Sequence, residues 1–132
     1  MRFPPLLAAI LLMAGNAPGQ AAPPPVEEAW LTPAERAGFD ATPSLAETAA
    51  YLDRLAGRLP MLRIEPFGRS GAGRTMTVAI VSPDGAFTPA AAAATGRPVV
   101  LVLNGIHAGE IDGKDATLAL LRDAALGRRP DL

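Results

Sequence analysis

The spacing of apolar positions changes along the chain, and each change predicts an element. From residue 44 the spacing is helical: Leu45, Ala49, Leu52, Leu55, Ala56 and Leu59 recur every three or four residues and line one side of a helix. Ser44 and Glu47 open it as a Ser-x-x-Glu capping box, in which each side chain satisfies a free backbone donor of the first turn. Gly57 weakens the far end, Pro60 stops it, and Asp53, Arg54 and Arg58 fall on the outer face. From residue 62 the spacing drops to alternation. Leu62 and Ile64 alternate with Arg63 and Glu65 as far as Pro66, and Met76, Val78 and Ile80 share one face of the run 75–81. Gly68, Gly71 and Gly73 lie between the two runs, so they predict a hairpin turn. Pro83-Asp84-Gly85 turns the chain again, and 87–97 reads as a loop with one helical turn at 90–94.

The run Pro98-Val99-Val100-Leu101-Val102-Leu103 has no alternation at all, which predicts a central strand buried on both faces between helices. Residues 110–125 then return to helical spacing, with Ile111, Leu118, Leu121 and Ala125 on one stripe. Glu110, Asp112 and Asp115 fall in its first turns, where the helix dipole favours negative charge. Strand, short loop and helix in that order predict an α/β fold: a mixed sheet covered by helices. Upstream, 26–43 reads as polar and irregular, punctuated by Thr32-Pro33 and Thr42-Pro43, with Trp30 and Phe39 as anchors onto a core.

Composition narrows the chemistry. A chain of 132 residues makes one domain at most. Its formal net charge of −1 offers no basic field to nucleic acid or to an anionic membrane. Cysteine is absent, so disulfides and thiolate metal sites are excluded and any metal must use nitrogen and oxygen donors. At the N-terminus Arg2, the apolar run 6–14 and the small residues Ala17, Gly19, Ala21 and Ala22 make the pattern of a secretory signal peptide. The chain therefore divides into a signal peptide at 1–21, a Pro-rich linker and approach segment at 22–43, and an α/β portion at 44–132. The mature protein is expected to be exported, periplasmic or extracellular, with no membrane anchor.

The candidate chemistry sits where the apolar run ends. Asn104-Gly105-Ile106-His107-Ala108-Gly109-Glu110 places the single histidine of the chain three residues before a carboxylate, in a short loop between strand and helix. Ligands of open α/β sheets bind just outside the carboxyl ends of strands. A neutral imidazole and a carboxylate are two of the usual three protein ligands of a catalytic zinc. The plainer role for the same residues is structural, with Glu110 as a first-turn acid and His107 bonded to a backbone carbonyl. Other catalytic patterns fail. Gly68, Gly71 and Gly73 do not have the spacing of a phosphate-binding loop and are followed by a strand. Ser70 and Ser82 lack the setting of a serine nucleophile. Asp112, Lys114 and Asp115 read as a solvated helix face, with Asp112 near enough to support the site.

Several segments carry a family resemblance. The metal-type segment Gly105-Ile106-His107-Ala108-Gly109-Glu110-Ile111 continues into Gly113-Lys114-Asp115. Upstream stand the turn Gly68-Arg69-Ser70-Gly71, with Gly73-Arg74, and the approach segment containing Thr32-Pro33-Ala34-Glu35. In this order, across 30–122, they resemble the N-terminal part of a bacterial branch of the M14 zinc carboxypeptidases. The resemblance implies Zn²⁺ as cofactor, His107 and Glu110 as metal ligands, and a peptide substrate. It also implies that the third ligand (a second histidine), the general-base glutamate and the substrate-binding arginines lie beyond Leu132. No catalytic residue is then assigned within this chain, and Arg122, Arg128 and Arg129 are not substitutes. Two other functions stay open: a zinc amidase or deacylase of the aspartoacylase type, and a non-catalytic exported α/β remnant.

Overall fold

The computed structural model of the chain describes residues 25–107 and 109–129. The expected signal peptide and the first residues of the Pro-rich linker lie outside the described residues. Two short helical pieces come first: a 3-10 turn over Glu28–Trp30 and helix α1, Pro33–Arg36. Helix α2 (Leu45–Ala56), strands β1 (Leu62–Arg69) and β2 (Thr75–Val81), helix α3 (Pro89–Ala94) and helix α4 (Asp112–Ala125) follow. No helix among the described residues is long and apolar enough to cross a membrane.

The expected helix after Ser44 is present, with the capping box formed in both directions. Its buried residues are Tyr51 and Leu55, joined by Leu59 in the turn that follows, while Leu45 stays 59% exposed. These residues meet Leu62 from β1 and Leu118 and Leu121 from α4 in one small core. Leu55 at the centre has no exposed surface. Burying a leucine in this way contributes about 2 kcal/mol relative to leaving it in water.

The stretch expected to be irregular contains α1, because Thr32 caps it. The Thr32 side chain accepts from the Glu35 amide, Glu35 accepts in return from the Thr32 amide, and Pro33 supplies a preset φ at the first helical position. Of the two expected anchors, Trp30 packs against the core, and the Tyr51 hydroxyl donates to its carbonyl at 2.7 Å. Phe39 does not: it is 74% exposed and holds a left-handed φ of 64° at the end of the turn after α1.

The hairpin is antiparallel, with Leu62 opposite Val81 and Arg69 opposite Thr75. The register slips between Pro66 and Gly68, so Phe67 is the extra residue of a bulge. Met76, Val78 and Ile80 take the half-buried face of β2, as their alternation requires.

The α/β class expected from the sequence is the class of the structure, but the expected central strand does not form. Residues 98–103 pair with no other strand among the described residues, and the only sheet there is the β1–β2 pair. Val99, Val100 and Leu101 are 78–79% exposed. The run stands off from the hairpin across an apolar groove of about 490 Å³ lined by Leu52, Val78, Val81, Val100, Val102 and Leu121. An apolar run signals burial, but a strand exists only where a neighbouring backbone takes up its N–H and C=O groups. Residues 98–103 meet no such backbone among the described residues.

Candidate metal-binding loop

The loop between residue 103 and α4 bends twice through left-handed backbone, at Gly105 (φ 64°) and Gly109 (φ 97°). A β-carbon is costly at both positions, which is why glycine brackets the histidine. His107, between the two bends, and Glu110, just after the second, face each other. His107 Nδ1 lies 2.6 Å from Glu110 Oε1, and the His107 backbone amide donates to Oε2 at 3.2 Å. The Glu110 amide donates back to the His107 carbonyl at 3.2 Å. Both carboxylate oxygens are therefore engaged by one residue. Hydrogen bonding from the His107 ring, then from its backbone amide, holds the Glu110 carboxyl below the ordinary glutamate range against a small opposing effect of burial. Both side chains are open to solvent, at 78% and 53% exposure.

Glu110 lies outside the helix, not in its first turn as the helical spacing predicted: α4 starts at Asp112, and Ile111 occupies the cap position. The turn closed between His107 and Glu110 draws the carboxylate back over the loop instead. The structure thus brings the two expected ligands together, and it does so by direct hydrogen bond.

The donor pair fits a zinc ion in chemistry, one imidazole nitrogen and one carboxylate oxygen. A tetrahedral zinc at about 2.0–2.2 Å from each donor would hold the two atoms about 3.3–3.6 Å apart. An ionised carboxylate only accepts, so the proton of the present contact sits on Nδ1. Metal entry therefore means parting the pair slightly and moving that proton off Nδ1. No group of three or more His, Cys, Asp or Glu side chains converges on a metal position among the described residues.

One further side-chain contact ties this loop to α4, and a bond within the helix orients it. The Asn104 side-chain amide donates to the Thr117 hydroxyl at 2.9 Å, and that hydroxyl donates to the Gly113 carbonyl at 2.8 Å. Of the expected solvated face, Asp112 is exposed as read, but Lys114 and Asp115 form a tether instead. Lys114 donates to the Thr42 hydroxyl at 2.7 Å and pairs with Asp115 at 2.5 Å, which fastens the segment before α2 to α4. Farther along α4, Arg122 is buried and pairs with Glu35 of α1 and, at 3.0 Å, with Asp123. Burial raises the Glu35 carboxyl, but the Thr32 amide and the Arg122 guanidinium outweigh it and leave a net lowering. Arg122 is held protonated: burial works against its charge, and Glu35 and Asp123 more than offset that. Sequence reasoning read Asn104 only as part of a turn and Arg122 only as a basic residue near the chain end. Nothing in their local pattern names a partner, since one lies 13 and the other 87 positions away.

The sequence model of one family, described as zinc carboxypeptidase, matches residues 48–128. No curated protein and no solved structure matches the chain.

Proposed function

The chain belongs to the zinc carboxypeptidase family, peptidase M14, and from that premise we propose that it supplies two zinc ligands, His107 and Glu110, of an exported enzyme that hydrolyses peptides. The observation that carries this reading is the contact of His107 Nδ1 with Glu110 Oε1, 2.6 Å apart within the matched segment. Bound zinc supplies Lewis-acid polarisation of a scissile carbonyl and a bound water of lowered pKa. This chain's own residues hold and orient. Glu110 enters as a carboxylate, already ionised in contact with His107. His107 offers a ring nitrogen once its proton has moved to the other one. The loop backbone, bent at Gly105 and Gly109, keeps both donors on one side. The third ligand, the general base and the groups that bind the substrate carboxylate are assigned to no residue of this chain.

The test is isothermal titration of zinc into the purified chain, beside His107→Ala and Glu110→Gln. One weak site is expected in the parent and none in either variant. Zinc bound by His107→Ala as tightly as by the parent would refute the reading.

A further inference from the structure

We infer that Asn104 and Thr117 are positioning residues: they lock the His107–Glu110 loop onto α4 and so set the relative placement of the two donors. The inference rests on the metal-ligand reading for its purpose, but its geometry stands independently. The loop leaves α4 covalently at one end, through Ile111. At the other end it continues into residues 98–103, which have no strand partner among the described residues. Asn104 supplies the missing attachment at that end. Its amide reaches across to Thr117, in the second turn of α4.

The polarity of the lock is set by chemistry. The single hydroxyl proton of Thr117 is used on the Gly113 carbonyl, so the hydroxyl oxygen is left to accept and Asn104 must present its N–H. That turns Asn104 Oδ1 toward Gly113, where an added β-carbon would stand only 2.8 Å from it. Gly113 is the seat that lets Asn104 lie flat on the helix. With both loop ends fixed to one helix, His107 and Glu110 cannot drift apart by rotation of the segment that precedes them. Groups that orient ligands in this way typically account for about 10- to 100-fold in metal affinity.

The experiment compares the full chain with Thr117→Val, Thr117→Ser, Asn104→Ala and Gly113→Ala. One readout needs no metal: the ¹⁵N shift of His107 Nδ1 and the ¹H shift of its amide, both of which report the contact with Glu110. The second is zinc affinity by titration. Thr117→Val, Asn104→Ala and Gly113→Ala are expected to move both His107 signals toward those of Glu110→Gln and to weaken zinc by at least about ten-fold. Thr117→Ser, which keeps the hydroxyl, is expected to retain the parental signals and affinity. Thermal melts identify any variant that has unfolded, and the Ser/Val pair at 117 keeps the comparison to one hydroxyl in one place. Parental His107 signals in both Thr117→Val and Asn104→Ala would overturn the lock. So would unchanged zinc affinity in those variants where His107→Ala abolishes binding. If instead His107→Ala binds zinc like the parent, the metal reading fails and the lock is judged on the His107 signals alone.

Discussion

Replacing Arg122 by methionine is expected to cost the fold about 3 kcal/mol, and about half of that cost should vanish in a chain where Glu35 is already replaced. Arg122 is 4% exposed at its side chain and Glu35 20%, so the pair is drier than a surface bridge but is not sealed. Removing one partner of a fully buried pair costs about 3–5 kcal/mol, because the other charge is left without compensation. The lower end applies here for two reasons. Glu35 keeps the amide of Thr32 as a donor, and Asp123 keeps Arg128, 3.2 Å away. Glu35→Gln retains a carbonyl for Thr32 and removes only the charge, at about 1.5–3 kcal/mol for a hydrogen bond to a charged group. The double variant should be less destabilised than the sum by about 1.5 kcal/mol. The single tryptophan, Trp30, packs against the core and gives a fluorescence signal for urea unfolding. The pH dependence has a definite sign. The Glu35 carboxyl is lowered in the folded state. Its contribution is therefore complete above the unfolded value of about 4.3 and is lost as pH falls through the folded value. The gap between parent and Glu35→Gln should be flat from pH 7 to about pH 5.5 and should close under more acid conditions. Additive single effects together with a gap independent of pH would refute the idea that this pair joins α1 to α4.

Leu55→Ala, at the fully buried centre of the core, is expected to lose about 2–5 kcal/mol in the same urea assay. The 132-residue chain by itself is expected to show no carboxypeptidase turnover with added zinc, since its single histidine leaves it short of a three-ligand site. Turnover abolished by His107→Ala would contradict that. Expression in the native host should yield a chain cleaved between Ala17 and Ala22. Mass spectrometry reads the new N-terminus, and intact Met1 recovered from the cytoplasm would exclude export.

Local pattern was enough for elements whose signals lie within a few residues of each other. The Ser44–Glu47 capping box, the alternation in β2 and the helical stripe of Leu118 and Leu121 appear in the fold as they read in the chain. The same signal was present at Thr32-Pro33-Ala34-Glu35, where it makes α1, although the surrounding prolines suggested an irregular segment. His107 and Glu110 were legible as a pair because three residues separate them and glycines flank them.

What the sequence by itself determined is therefore local: where helices with a side-chain cap begin, which strand face is apolar, and which two side chains share the loop. Tertiary structure decided everything that depends on a distant partner. Glu35 acquires Arg122, Thr42 acquires Lys114, and Asn104 acquires Thr117 only when α4 packs beside the earlier elements. Residues 98–103 show the same rule in the opposite sense. Their apolar side chains encode a preference for burial, but the ladder that makes a strand belongs to two backbones, and among the described residues none lies alongside 98–103 to complete one.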